Sequence, residues 1–223
     1  PTKNNKFDSS ILESTMKLIG KGKIAVIKST IVPGITRKIQ NSNKDIIVTH
    51  SPEFLSEKTA AKEAANPPRN IVGIVKDDKK NIDAAKLILS ILPKTPYELI
   101  CGAEDAEIIK YGHNTLGYIK IIFTNLIYDL TKSLNGDWEK VREAIIADPY
   151  VANSAYMNPV HKTGRGAGGR CFIKDFAAFR ESYEKAIPDD KQGIALLKAF
   201  EEKNINLLKS TNKDLDILTE VYK

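Results

Sequence analysis

Hydrophobic residues change their period about halfway along this chain. In the first hundred positions, short apolar runs alternate with helical spacings. Residues 23–28, Lys23-Ile24-Ala25-Val26-Ile27-Lys28, form one such run between Gly22 and Pro33, as a buried strand does. Residues 46–48 and 71–75 repeat it, and residues 97–100 give a weaker fourth. Helical spacing fills the intervals at 9–19, 36–41, 52–65 and 79–92. Strands alternating with helices predict an α/β layer with a mostly parallel sheet. From residue 103 the strand signal stops. Residues 103–134 read as one long helix without proline, closed by Asn135-Gly136, a good C-terminal stop. A helix over 137–147 follows, with Asp137 as N-cap. Residues 148–169 read as a long loop, and 174–186, 189–203 and 213–222 as helices. The pattern therefore predicts part of an α/β unit over residues 1–102, then an all-helical domain over 103–223.

Composition narrows the class. The chain has 223 residues, 42% hydrophobic and 28% charged, as in ordinary soluble globular proteins. No apolar run approaches the ~20 residues of a membrane span, and no signal-peptide pattern opens the sequence. Two cysteines, Cys101 and Cys171, make no disulfide framework and point to a reducing cytoplasm. The net charge of +6 is modest and its lysines are scattered, which is weak evidence for a polyanionic partner and suits an anionic small molecule equally well, so no nucleic-acid partner is expected. Residues 1–6 lack an initiator methionine and read as the middle of a longer protein.

The densest chemistry lies in Gly164-Arg165-Gly166-Ala167-Gly168-Gly169-Arg170-Cys171-Phe172-Ile173-Lys174-Asp175. Glycines allow tight backbone folding and close approach to a ligand. They lead to a thiol flanked by Arg170 and Lys174, with Asp175 four residues on, and nearby positive charge favours the nucleophilic thiolate. A lone cysteine also serves as a small buried hydrophobe. Glu53 and Glu57 follow Ser51-Pro52, read as a helix start that puts both carboxylates on one face. They act either as favourable charge at a helix N-terminus or as a general acid/base pair at a strand end. Lys110 and Asn114 share a face of the long helix, either as solvated surface or as donors to an oxyanion. Thr30, in Ser29-Thr30-Ile31-Val32-Pro33-Gly34, is a turn residue or the holder of a water or cofactor. His50, His113 and His161 lack the companions of a metal site. No G-x-G-x-x-G turn follows a strand.

Four motifs in order resemble the UDP-glucose/GDP-mannose dehydrogenase family: Lys28-Ser29-Thr30-Ile31-Val32-Pro33-Gly34; Ser51-Pro52-Glu53-Phe54-Leu55-Ser56-Glu57; Ala106-Glu107-Ile108-Ile109-Lys110-Tyr111 with Asn114; and Gly-Gly-x-Cys-Phe-x-Lys-Asp over 168–175. The resemblance implies the C-terminal part of a Rossmann-like NAD-binding domain over residues 1–102 and a helical central domain over 103–223. It also implies oxidation of a nucleotide-sugar alcohol to the carboxylate with two NAD, through a thiohemiacetal and thioester on Cys171. By that resemblance Glu53 is the base for hydrolysis, and Lys110 and Asn114 stabilise oxyanions. Thr30 and Asp175 order a water, Lys174 reaches the NAD pyrophosphate, and Glu57 lies near the nicotinamide. Phe54, Leu55, Tyr156 and Gly168 contact the sugar nucleotide. The family's glycine-rich dinucleotide turn is expected upstream of Pro1, so these residues alone are expected to bind NAD poorly. A homodimer through the long helix is implied, and the apolar run of Ile119, Ile121, Ile122, Phe123, Leu126 and Ile127 suits either such an interface or a monomer core. Tyr150, Leu126 and Ile173 depart from frequent family residues and leave the sugar nucleotide open. A two-electron 3-hydroxyacid dehydrogenase and a non-catalytic homologue share the layout, but neither requires Cys171.

Overall fold

A computed structural model describes residues 2–3, 6–56, 58–148, 156, 158–161 and 163–222. The chain separates into two compact units, Phe7–His113 and Asn114–Lys223, the latter joined by Thr2–Lys6. Two two-residue strands, β1 (Thr2–Lys3) and β2 (Lys6–Phe7), come first, and α1 (Ser10–Met16) follows.

The first unit is built on four strands in the order β3 (Ile24–Ile27), β4 (Ile47–His50), β5 (Asn70–Ile74) and β6 (Glu98–Gly102). All four match the predicted apolar runs to within about two residues. The sheet is mixed. β3 runs parallel to β4 and β5 parallel to β6, but β4 and β5 pair antiparallel, with His50 opposite Gly73. Between β3 and β4 runs α2 (Ile35–Ser42), whose Ile39 packs with Ala25, Ile27, Ile46 and Val48. Across the sheet, Val72 and Ile74 pack with Ala85, Ile88 and Leu89 of α4 (Lys79–Ile91). Fully burying each aliphatic side chain contributes roughly 1.5–3 kcal/mol. Gly73 permits the closest approach in this unit. A Cβ there would stand 2.7 Å from Ala106 Cβ and 2.9 Å from the Ala103 backbone.

The helix expected over 52–65 forms only as α3 (Ala60–Ala65). Residues 51–56 stay non-helical because Glu63 closes the turn ahead of α3. Its carboxylate accepts the Ser56 N–H at 2.6 Å and the Thr59 hydroxyl at 2.5 Å. Glu53 is therefore not on a helix face, and Glu57 lies outside the described residues.

The long helix α5 (Ala103–Ser133) has 31 residues and is about 46 Å long. It ends as expected: Asn135 takes a left-handed conformation (φ 56°) and the Gly136 N–H reaches the Thr131 carbonyl at 2.8 Å. Beyond Asn114, α5 belongs to the second unit with α6 (Trp138–Ala147), the antiparallel pair β7 (Val160–His161) and β8 (Gly164–Arg165), α7 (Gly169–Ala186), α8 (Lys191–Ser210) and α9 (Leu215–Val221). Asp137 caps α6 as predicted, accepting from the Glu139 N–H. One core gathers Tyr118, Ile121, Ile122 and Phe176, with the Tyr118 and Phe176 rings stacked at 3.8 Å. Ile121 and Ile122 are thus core residues, not part of a surface available to a second copy. The side chain of Leu126 lies outside the described residues. α7 also begins five residues before the expected 174, so Cys171 lies in its first turn rather than ahead of the helix.

Candidate functional site

In the first unit, the side chains expected to form a site gather where β3 and β4 end. Past β4, Ser51 and Pro52 are buried, and the chain turns outward at Glu53 and Phe54. Lys28, just beyond β3, places its Nζ 3.5 Å from Glu53 Oε1 and 3.3 Å from Ser51 Oγ. The Phe54 ring is held by charged groups: Arg69 Cζ lies 4.0 Å above its centroid and Lys110 Nζ 5.3 Å away. The His113 ring meets it edge-on at 5.1 Å. Such cation–ring contacts contribute about 0.5–1 kcal/mol each at exposed sites. Lys110 is buried, 8% exposed, so it is no solvated surface lysine. Lys28, Glu53, Phe54, Leu55 and Arg69 line a cleft of about 270 Å³.

Two histidines complete this cluster. His50 is fully buried at the end of β4. Desolvation, with Lys28 and Lys110 adding repulsion and the Ile27 carbonyl opposing, brings its pKa down to about 4. His113 is solvent-exposed on one side, and partial desolvation of its ring, with repulsion from Lys110 and Arg69, brings it down to about 4 as well. Both are neutral at neutral pH. Arg69 Nη2 lies 3.3 Å from His113 Nδ1. Guanidinium only donates, so Nδ1 is the acceptor and the ring proton sits on Nε2.

The turn carrying Thr30 is fastened to α5. Gly34 opens α2 with φ 94° and no side chain, so Glu107 supplies the cap from elsewhere. Its carboxylate accepts from the Gly34 N–H at 2.6 Å, the Thr36 N–H at 2.8 Å and the Thr36 hydroxyl at 2.6 Å. Burial pushes the Glu107 carboxyl above the usual range, against these donors. Glu107 stands one turn before Lys110 on α5, so one helix positions both the half-buried Thr30 turn and the lysine.

In the second unit, Asn114 Nδ2 donates to Asp175 Oδ2 at 2.5 Å, and Lys174 Nζ lies 3.4 Å from Asp175 Oδ1. Asp175 is buried and stands one turn after the exposed Cys171 on α7. Tyr156 packs edge-on against Phe172, with ring centroids 5.7 Å apart, and its carbonyl accepts from the Thr124 hydroxyl. The side of Gly168 where a Cβ would stand is filled by Lys213 and Asp214.

The structure therefore brings together Glu53, Phe54 and Lys110 in one unit, and Asn114, Lys174 and Asp175 in the other, with Cys171 one turn away. Lys28, His50, Arg69 and Glu107 were not singled out as site residues from sequence. Glu107 had a legible signal, a charge on the helix face that also holds Ala103 and Ala106.

Two segments match models of one family: residues 2–90 the NAD binding domain, and residues 104–206 the central domain, of the UDP-glucose/GDP-mannose dehydrogenase family. The fold and these two matches define the class: part of an NAD-binding sheet domain followed by the helical central domain of that family. The chain belongs to the UDP-glucose/GDP-mannose dehydrogenase family, and NAD is the cofactor of the matched domain. It is 30% identical over 190 residues to UDP-glucose 6-dehydrogenase of Rickettsia bellii, covering 83% of this chain and 42% of that protein. It is 29% identical over 199 residues to GDP-mannose 6-dehydrogenase of Pseudomonas aeruginosa, covering 79% and 43%. A UDP-glucose dehydrogenase structure from Pyrobaculum islandicum superposes with a TM-score of 0.77 at 26% identity, over 92% of this chain and 48% of that one. The chain thus spans less than half the length of these relatives.

The residues present fit part of a dinucleotide. Thr30 offers a hydroxyl beyond the end of β3, where open α/β sheets take ligands. The N–H groups opening α2, which would suit a pyrophosphate, are already turned to Glu107.

Proposed function

We propose that the protein carrying this chain oxidises the primary alcohol of a UDP-glucose-like nucleotide sugar to the carboxylate, in two two-electron stages with water as the oxygen source. The observation that carries this reading is Cys171, exposed in the first turn of α7, one turn from the buried Asp175 that holds Asn114. A reaction that stopped at the carbonyl would have no use for a thiol there.

NAD, when bound, accepts a hydride at each stage. The chain's own residues do the rest. The Cys171 thiolate adds to the aldehyde carbon, forming a carbon–sulfur bond and an oxyanion that Lys110 and Asn114 stabilise. Loss of hydride from that carbon leaves a thioester. Glu53 takes a proton from water, which adds to the thioester, and the carbon–sulfur bond breaks to return the thiolate and release the acid. Thr30 and Asp175 order a water, and Lys174 and Glu57 serve NAD. Phe54, Leu55, Tyr156 and Gly168 border the sugar nucleotide.

In this reading residues 1–102 are part of an NAD-binding domain and 103–223 the helical domain that bears the nucleophile. Incubating the natural protein with a panel of UDP- and GDP-sugars is expected to yield two NADH and one uronate per sugar. One NADH and a stable carbonyl product would overturn it.

The setting is proposed to be cytoplasmic, in keeping with two free thiols. Among the described residues, no helix is long and apolar enough to cross a membrane. A homodimer through α5 is proposed on an exposed apolar stripe, Ile108, Leu116 and Phe123, recurring about every two turns and more than half exposed at each position. Phe123→Glu is expected to convert a sedimenting dimer to monomer; a parent chain already monomeric at micromolar concentration would refute the dimer.

A further inference from the structure

The glycine turn that leads into Cys171 is held by residues from beyond the matched central-domain stretch, which ends at residue 206. Lys213 is buried, 4% exposed, and its Nζ donates to the Gly166 carbonyl at 2.8 Å and the Gly164 carbonyl at 3.2 Å. The Arg165 N–H donates to Thr211 Oγ1 at 3.1 Å. Asp214, itself left-handed at φ 53°, accepts the Gly169 N–H at 2.7 Å. Gly168, the N-cap of α7, has no side chain with which to do this. Asp214 therefore caps α7 from a distant point in the chain. Further along α9, Glu220 Oε2 lies 3.0 Å from Arg170 Nη1.

The charges set the direction of the effect. A helix N-terminus and a flanking arginine both favour an anion. Cys171 is the third residue of α7 and next to Arg170, so its thiolate would draw on both. Asp214 already occupies the first with a full negative charge, and Glu220 draws on the second. Of the other nearby cations, Lys174 faces Asp175 and Lys213 is turned to the Gly164 and Gly166 carbonyls.

We propose that residues 211–220 are a positioning element for Cys171 that also restrains it: Thr211 and Lys213 fix the glycine turn, while Asp214 and Glu220 take up the positive charge that would activate the thiol. The inference deepens, and rests on, the reading of Cys171 as the nucleophile. Asp214 and Glu220 are positioning residues, acting through the helix end and Arg170.

The test is the alkylation rate of Cys171 by iodoacetamide in the full chain, followed by peptide mass. Cys101 will not confuse it, because burial and Asp105 push that thiol up to about 11. Asp214→Asn keeps an oxygen acceptor for the Gly169 N–H and tolerates the left-handed backbone, so it removes charge alone. It is expected to raise the rate at neutral pH about two- to fivefold while lowering the melting temperature slightly. Glu220→Gln is expected to raise the rate by less. Asp83→Asn, which removes an equal charge from a surface pair with Lys79, is expected to leave it unchanged. A purely structural role for Asp214 predicts no faster reaction, so an Asp214→Asn rate at or below the parental one overturns the proposal. The catalytic reading fails on a different result, acid formation undiminished by loss of the thiol, which leaves the alkylation rates as they stand.

Discussion

Cys171→Ser in the natural protein is expected to lower acid formation at least about a thousandfold while sugar-nucleotide binding is roughly kept. The hydroxyl keeps the size of the site but is a far weaker nucleophile at neutral pH, and an alkoxide is a poorer leaving group than a thiolate. The first oxidation needs no covalent bond to the enzyme, so the loss falls on the second. Tritiated or mass-labelled sugar nucleotide, with separation of alcohol, aldehyde and acid, measures each stage. A serine variant that released acid at the parental rate would remove Cys171 from the mechanism, whatever its position on α7.

The second large effect concerns stability in acid. His50 is fully buried, and its pKa falls from 6.5 to about 4 on folding. Between these values the unfolded chain binds a proton that the folded chain does not, so stability rises with pH across the window. Acidification from about pH 6.5 to 4 is expected to cost on the order of 3 kcal/mol through this residue alone. His113 is shifted in the same direction, but its exposure lets solvent screen its neighbours and reduces its share. His50→Met removes the titrating group, so its melting temperature is expected to fall less steeply over that window than the parent's. Equal slopes in the two proteins would show that acid acts elsewhere.

Much of the framework was readable from local patterns. The four sheet strands announce themselves because each is a short apolar run between breakers, and α4, α5 and α6 carry helical spacing with caps within reach. The reading over 52–65 failed because Ser51-Pro52 looks like a helix start within any short window, while the side chain that decides the matter, Glu63, acts backward on Ser56 and Thr59. The antiparallel β4–β5 pairing was equally hidden, since apolar runs do not record direction. Glycine density over 164–169 lowered the expected helix content just where α7 begins. Its cap, Asp214, comes from 45 residues away. The same limit applies to the site. Motif spacing picked out Glu53, Lys110, Asn114, Cys171 and Asp175, but Arg69 and His50 acquire significance only when the fold brings Phe54 and Lys110 beside them.

The cap that Glu107 provides to α2 has a consequence for the order in which the first unit assembles. α2 has eight residues, too few to persist alone in water. Its opening N–H groups find their acceptor on a residue 73 positions away in sequence. Closing a loop of that length costs about 4 kcal/mol of chain entropy, plus a constant. The short helix therefore cannot act as an early local nucleus. It gains its first turn when α5 docks, so the Thr30 turn and the helix bearing Lys110 reach their native geometry in the same cooperative event.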